Sequence, residues 1–197
     1  MRAHWFVLVL AAGCTPDIAP GSYMCGPNAA CPEGQVCNGP DNVCVFEGGS
    51  LPFECEPDAV TEPDDDAEHG RVLAFDACIT PSTAHANCLL DNDSEDWARF
   101  TAPSVCTAVQ VEARVSFPIA FERVGMELWN LDTNTMLGTD GECSSTGAAG
   151  EDIRCMTVTL TPGGNYGIKV KPTGEGDCNG ACAHNRYTLR VQLSTPG

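Results

Sequence analysis

Val109-Gln110-Val111-Glu112-Ala113-Arg114-Val115-Ser116-Phe117 alternates apolar and polar side chains without a break. In an extended chain, successive side chains point to opposite faces. Val109, Val111, Ala113, Val115 and Phe117 therefore share one face, and Gln110, Glu112, Arg114 and Ser116 the other, the pattern of a strand with one buried and one wetted side. No helical spacing competes over this stretch.

The same period recurs on both sides of it. Met156, Val158 and Leu160 alternate with Thr157 and Thr159. Pro162-Gly163-Gly164 then turns the chain into Tyr166, Ile168 and Val170, alternating with Gly167, Lys169 and Lys171, which reads as a hairpin. Tyr187, Leu189, Val191 and Leu193 predict a closing strand, and Leu73, Phe75, Ala77 and Ile79 an opening one. With segments near 98–102 and 124–131 the total is about seven strands, enough for an all-β, antiparallel β-sandwich of jelly-roll-like type.

Composition limits what such a sandwich can do. The chain has 197 residues, with 27 Asp and Glu against 10 Lys and Arg, a net charge of −17. Residues 3–70 hold 12 acids and no Lys or Arg, and residues 71–197 hold 15 acids and 9 bases. Nucleic acid is excluded as a partner, because a phosphate backbone needs a basic footprint. Leu, Ile, Val and Phe together number 39, a small apolar supply for an acidic chain. The 13 cysteines, none of them in a Cys-x-x-Cys pair, point to disulfides and an oxidising compartment rather than to zinc.

Met1-Arg2-Ala3-His4, followed by the apolar run 5–12, has the layout of a secretory signal too short to span a bilayer. Leu10-Ala11-Ala12-Gly13-Cys14 resembles the lipobox of bacterial lipoproteins, in which the cysteine is lipidated and becomes the mature N-terminus. That resemblance implies a signal peptide over 1–13, a lipid on Cys14 as the membrane partner, and a tether over 14–24. Removing Cys14 from the 13 cysteines leaves an even number for pairing. Several acyl chains on one residue anchor stably, each buried CH₂ adding about 0.8 kcal/mol. Thr15 stands where lipoproteins retained at an inner membrane often carry Asp, so the implied destination is the outer membrane or cell surface.

Residues 25–44 form a small Cys-rich module in which Cys25, Cys31, Cys37 and Cys44 are separated by Gly and Pro turn signals. Four cysteines allow three pairings; the interleaved one, Cys25–Cys37 with Cys31–Cys44, compacts all three loops. An acidic linker follows over 45–61, its charge run continuing to residue 70.

Over 62–197 several motifs fall in a recognisable order. Glu62-Pro63-Asp64-Asp65, Asp96-Trp97-Ala98-Arg99-Phe100, Met126-Glu127-Leu128-Trp129-Asn130-Leu131-Asp132, Pro162-Gly163-Gly164-Asn165-Tyr166-Gly167-Ile168-Lys169-Val170 and Tyr187-Thr188-Leu189-Arg190-Val191 together resemble the bacterial pre-peptidase C-terminal domain. That family is an accessory β-sandwich often appended to secreted peptidases, so the resemblance implies a fold more than an activity. Asp64 departs from the family's Asn. The cysteine-bearing insertions at 78–88, 143–155 and 178–182 also depart, and read as local staples Cys78–Cys88, Cys143–Cys155 and Cys178–Cys182, leaving Cys55 for Cys106.

Two sites emerge. Related collagen-binding sandwiches hold calcium at the opening linker, and Glu62, Asp64 and Asp65 meeting Asp91, Asp93, Glu95 and Asp96 would supply the oxygen ligands a hard cation needs. Trp97 and Trp129 lie by strand parity on the face opposite the core, where aromatic rings make platforms for sugars or peptide side chains. No catalytic constellation is legible: Gly-x-Ser-x-Gly and His-Glu-x-x-His are both missing from the sequence. The reading is a non-catalytic surface lipoprotein that requires no cofactor, with calcium as its candidate ion. It presents a binding or structural module to a polysaccharide, a peptide or a cell-envelope ligand. The alternative is an accessory subunit that targets or stabilises a secreted peptidase or other hydrolase.

Overall fold

The computed structural model describes residues 21, 23, 25–38, 43–49, 64–90, 95–118, 123–145, 147, 151–173 and 184–196. The expectations for 1–13, Cys14, Cys55, Glu62, Asp91, Asp93, Cys178 and Cys182 lie outside the described residues.

Two five-stranded sheets enclose one core. In the first, β4 (Thr83–Leu90), β12 (His184–Ser194), β6 (Val109–Pro118), β10 (Glu151–Leu160) and β9 (Gly141–Glu142) lie side by side in that order. In the second the order is β3 (Arg71–Val72), β5 (Asp96–Thr101), β11 (Asn165–Pro172), β7 (Val124–Asn130) and β8 (Thr135–Thr139). All pairings are antiparallel except the short β3–β5 contact. The two strands that precede them, β1 (Gln35–Asn38) and β2 (Val43–Phe46), pair only with each other. No described helix is long and apolar enough to cross a membrane.

The alternating stretch of β6 is the centre of the first sheet. Its register sets Val111 between Leu193 and Val158, and Ala113 between Val191 and Met156, so each inward residue extends an apolar row across three strands. Ile168 likewise stands between Ala98 and Leu128 in the second sheet. These rows face each other and are sealed from solvent. Each buried valine, leucine or isoleucine contributes about 1.5–3 kcal/mol relative to exposure, which is how few apolar residues suffice here.

The sequence reading and the structure differ at three places. The 162–164 turn does not close a hairpin, because β10 belongs to the first sheet and β11 to the second. It arches between layers, with Gly163 at φ 80°, and Tyr166 clamps it by donating its hydroxyl to the Thr161 carbonyl and accepting the Thr161 N–H. Alternation alone cannot distinguish the two, since hairpin and arch both bury every second residue. The opening strand expected over 73–79 is also replaced. Only Arg71–Val72 pairs, Leu73 then bonds to Arg99, and the chain runs irregularly to β4, leaving Ile79 exposed.

The third difference is disulfide pairing. Cys78 is bonded to Cys106, with Cα atoms 5.6 Å apart, so the expected Cys78–Cys88 and Cys55–Cys106 bridges are overturned. Cys106 is buried at the core margin and Cys78 packs against it, whereas Cys88 is carried along β4 opposite Arg186 and is itself disulfide-bonded. The residues treated as a stapled insertion form an edge strand. Elsewhere the structure joins Cys25 to Cys37, Cys31 to Cys44, and Cys143 to Cys155.

The small N-terminal sheet rests on the sandwich. Gly21 donates its N–H to the Cys44 carbonyl, and the buried Arg186 of β12 donates to the Gly21 carbonyl at 2.7 Å.

Candidate functional site

Strand parity aims Asp96 of β5 inward, in line with Ala98 and Phe100, at one end of the core. Across the gap between sheets it meets Tyr187 of β12, whose hydroxyl donates to the Asp96 carboxylate. Asn87, directly opposite Tyr187 in the ladder, donates its amide to Asp64 at 3.1 Å. Asp64 is fixed from behind, since its carbonyl accepts the Trp97 N–H at 2.8 Å.

Asp64 and Asp96 are each only 2% exposed, so two carboxylates lie inside the protein around one tyrosine. Burial is the main cause that holds the Tyr187 hydroxyl well above its ordinary range, reinforced by the charge and hydrogen bond of Asp96 and the charge of Asp64. Tyr187 is thus a permanent donor at neutral pH. The void between these groups, which His85 and Arg71 also line, measures about 10 Å³. That is about the space of one water, so no organic ligand fits. The polar groups gathered there are the Asp64 and Asp96 carboxylates, the Asn87 amide and the Tyr187 hydroxyl, with the Arg71 guanidinium and the His85 imidazole beside them.

Of the seven acids expected to hold calcium, the structure brings Asp64 and Asp96 to this void, while Glu95 bonds to Trp97 and Lys169 instead. Asp65 is exposed beside it, and Glu62, Asp91 and Asp93 lie outside the described residues. Asn87 and Tyr187 were not foreseen as partners. Tyr187 reads as one more apolar position of β12. Asn87 sits in an Ala-His-Ala-Asn-Cys run whose small residues mask the alternation.

The tryptophans occupy the outer face of the second sheet. Lys169 of β11 stands opposite Trp97 on one side and Glu127 on the other. Its ammonium lies 5.4 Å from the Trp97 ring centre and 5.2 Å from that of Trp129, within cation–π range. The same ammonium reaches Glu95 at 3.3 Å and Glu127 at 3.2 Å, and Lys171 also pairs with Glu127. Each indole N–H is spoken for, Trp97 by Glu95 and Trp129 by Glu127.

Burial alone would raise the Glu127 carboxyl, but Lys171, Trp129 and Lys169 outweigh it and hold the group below its ordinary value. For Lys169, burial pulls downward and Glu127 and Glu95 prevail, so the ammonium is more firmly protonated. Trp97, though it faces outward, is only 8% exposed, packed under Gly70 and Gly167. The expected open platform is therefore closed at Trp97: Lys169 fills the space a ligand's ring would take. Only Trp129 is left half-buried.

No protein-family model matches the chain, and no curated protein matches it. Among solved structures, it is similar to the pre-peptidase C-terminal domain of collagenase from Bacillus anthracis, at 14% identity and a TM-score of 0.44, over 62% of this chain and 93% of that one. It is also similar to a periplasmic inhibitor of g-type lysozyme from Salmonella Typhimurium, at 17% identity and a TM-score of 0.39, over 64% and 97% of the respective chains. A third is CorA, a surface-associated copper-binding protein of Methylomicrobium album BG8, at 11% identity and a TM-score of 0.33, over 64% and 98%.

Proposed function

We propose that this chain is an exported, disulfide-stapled β-sandwich that works as a non-catalytic binding or structural module at the outer membrane or cell surface. The lipid on Cys14 anchors it, residues 14–24 tether it, and the Cys-rich segment 25–44 with the acidic linker 45–61 holds the sandwich over 62–197 away from the bilayer. The observation that carries this reading is that all nine described cysteines are disulfide-bonded, a state that belongs to an oxidising compartment. Intact-mass spectrometry of the protein from its native envelope tests it. The expected mass lacks residues 1–13, includes acyl chains on Cys14, and shows the loss of one hydrogen for each of the remaining cysteines. A full-length, unlipidated chain with free thiols would sink the proposal.

Calcium belongs to the same reading. Asp64 and Asp96 are the residues that would hold the ion, with Glu62, Asp65, Asp91 and Asp93 as further oxygen donors; bound there, it would offset the mutual repulsion of buried carboxylates. The melting temperature is expected to be higher in calcium than in chelator, with the difference lost in Asp64→Asn. Identical melting in both solutions removes the ion from the account. The ordered motifs shared with the pre-peptidase domain favour a second role, as an accessory subunit of a secreted peptidase, and co-purification of such an enzyme with the native protein would select it.

A further inference from the structure

In a chain of net charge −17, cations are scarce, and most of the described ones are engaged. Lys169 and Lys171 pair with Glu127, Arg123 with Asp152, and Arg154 with Asp140, while Arg99 and Arg186 donate to main-chain carbonyls. Arg114 of β6 and Arg190 of β12 differ. They stand directly opposite each other in the ladder, on the outer face of the first sheet, and neither donates to a carboxylate or carbonyl among the described residues. Like charges in opposed positions destabilise a strand pair, so this arrangement stands against a local penalty.

The two guanidiniums line a concavity of about 590 Å³. That falls within the range of small-ligand sites, roughly 300–1,000 Å³. Most of the remaining lining is hydrogen-bonding, from Glu112, Gln192, Thr157 and Ser82, with Ala113 and Met156 at its floor and Glu142 and the Cys143–Cys155 staple also against it. Glu112 forms no ion pair with either arginine; its oxygens accept from Gln110, Gln192 and Ser194. Paired guanidiniums present parallel N–H groups that match a carboxylate or phosphate.

We infer that this groove binds an acidic saccharide, its carboxylate held between Arg114 and Arg190 and its hydroxyls exchanging hydrogen bonds with the surrounding side chains. The two acids of the groove repel a doubly charged phosphate more than a single carboxylate, and they accept sugar hydroxyls. A peptide is less suited, because β6 is flanked by β12 and β10 and offers no free edge for an added strand. The inference rests on the binding role proposed above and names its ligand class.

The test is titration calorimetry of the oxidised full chain with a galacturonic acid tetramer, its methyl ester, a glutamate-rich peptide of equal charge, and inorganic phosphate. The tetramer is expected to bind and the ester to fail. R114Q and R190Q should each weaken binding roughly tenfold or more, as expected for loss of a hydrogen bond to a charged group. Both variants relieve like-charge repulsion, so their melting temperatures should stay at or above that of the parent, which separates lost contacts from lost folding. Failure of the tetramer to bind, binding indifferent to both substitutions, or preference for the peptide or phosphate would each overturn the inference. If the disulfides and lipid are intact in the same preparation, such a failure removes the groove and leaves the exported module standing.

Discussion

Two histidines report opposite environments on one molecule. His69 is exposed and bonded to Asp66, whose hydrogen bond and charge raise the imidazole above its ordinary value of 6.5. His85 faces the buried acid cluster from β4, and burial, aided by the charge of Arg71, lowers it below 6.5. The signs follow by linkage. The His69 contribution is present below the unfolded value and is lost as pH rises through the raised folded value. That of His85 is complete above the unfolded value and is lost as pH falls below it, since the unfolded chain takes up a proton first. Proton NMR titration is expected to place His69 above 6.5 and His85 below it. Asp66→Asn should return His69 toward the ordinary value and leave His85 unmoved, while a His69 that titrates normally in the parent would remove the Asp66 pair.

At the scale of elements, β11 shows what the sequence disclosed and what it concealed. Its alternation of Tyr166, Ile168 and Val170 with Gly167, Lys169 and Lys171 was legible because burial on one face is a local property of a strand. Its sheet membership was not, because that depends on which neighbours it pairs with, and β5 and β7 lie far off in sequence. What covers Trp97 was illegible for the same reason: parity gives the face, but the covering comes from Gly70 and from Lys169 across the ladder. Cys78 found Cys106 rather than its sequence neighbour Cys88 because β4 carries Cys88 away. The acid cluster was half legible, its carboxylates standing in a motif while Asn87 and Tyr187 arrive only by strand pairing.

Gly167 tests this account of the outer face. A Cβ there would come within 2.9 Å of the Trp97 ring, which Glu95 and Lys169 hold in place. Gly167→Ala is expected to destabilise by about 1–3 kcal/mol, the usual cost of overpacking. Gly141→Ala is the control, since nothing lies within 4 Å of its added Cβ. It should shift stability by no more than about 0.5 kcal/mol. Urea unfolding of both variants measures the contrast, and equal midpoints would mean that Trp97 is not held as described.

At the scale of the whole molecule, the question is whether the Cys-rich segment and the sandwich unfold together. Disulfides Cys25–Cys37 and Cys31–Cys44 close the segment on itself and add nothing to its attachment. The attachment described above is polar: Arg186 to the Gly21 carbonyl, and Gly21 to Cys44. Arg186 is 2% exposed, and a buried cation that loses its partners is strongly penalised, whereas an apolar replacement of similar length avoids that penalty. Arg186→Met should therefore leave the sandwich close to parental stability, within about 1–2 kcal/mol, while hydrogen exchange accelerates across the described residues of 21–49. The backbone bonds of β6 and β12 should keep their protection, because their rows are held by the shared core. Exchange that quickens equally in β6 would show one cooperative unit instead, with Arg186 serving the core rather than the join between the N-terminal sheet and the sandwich.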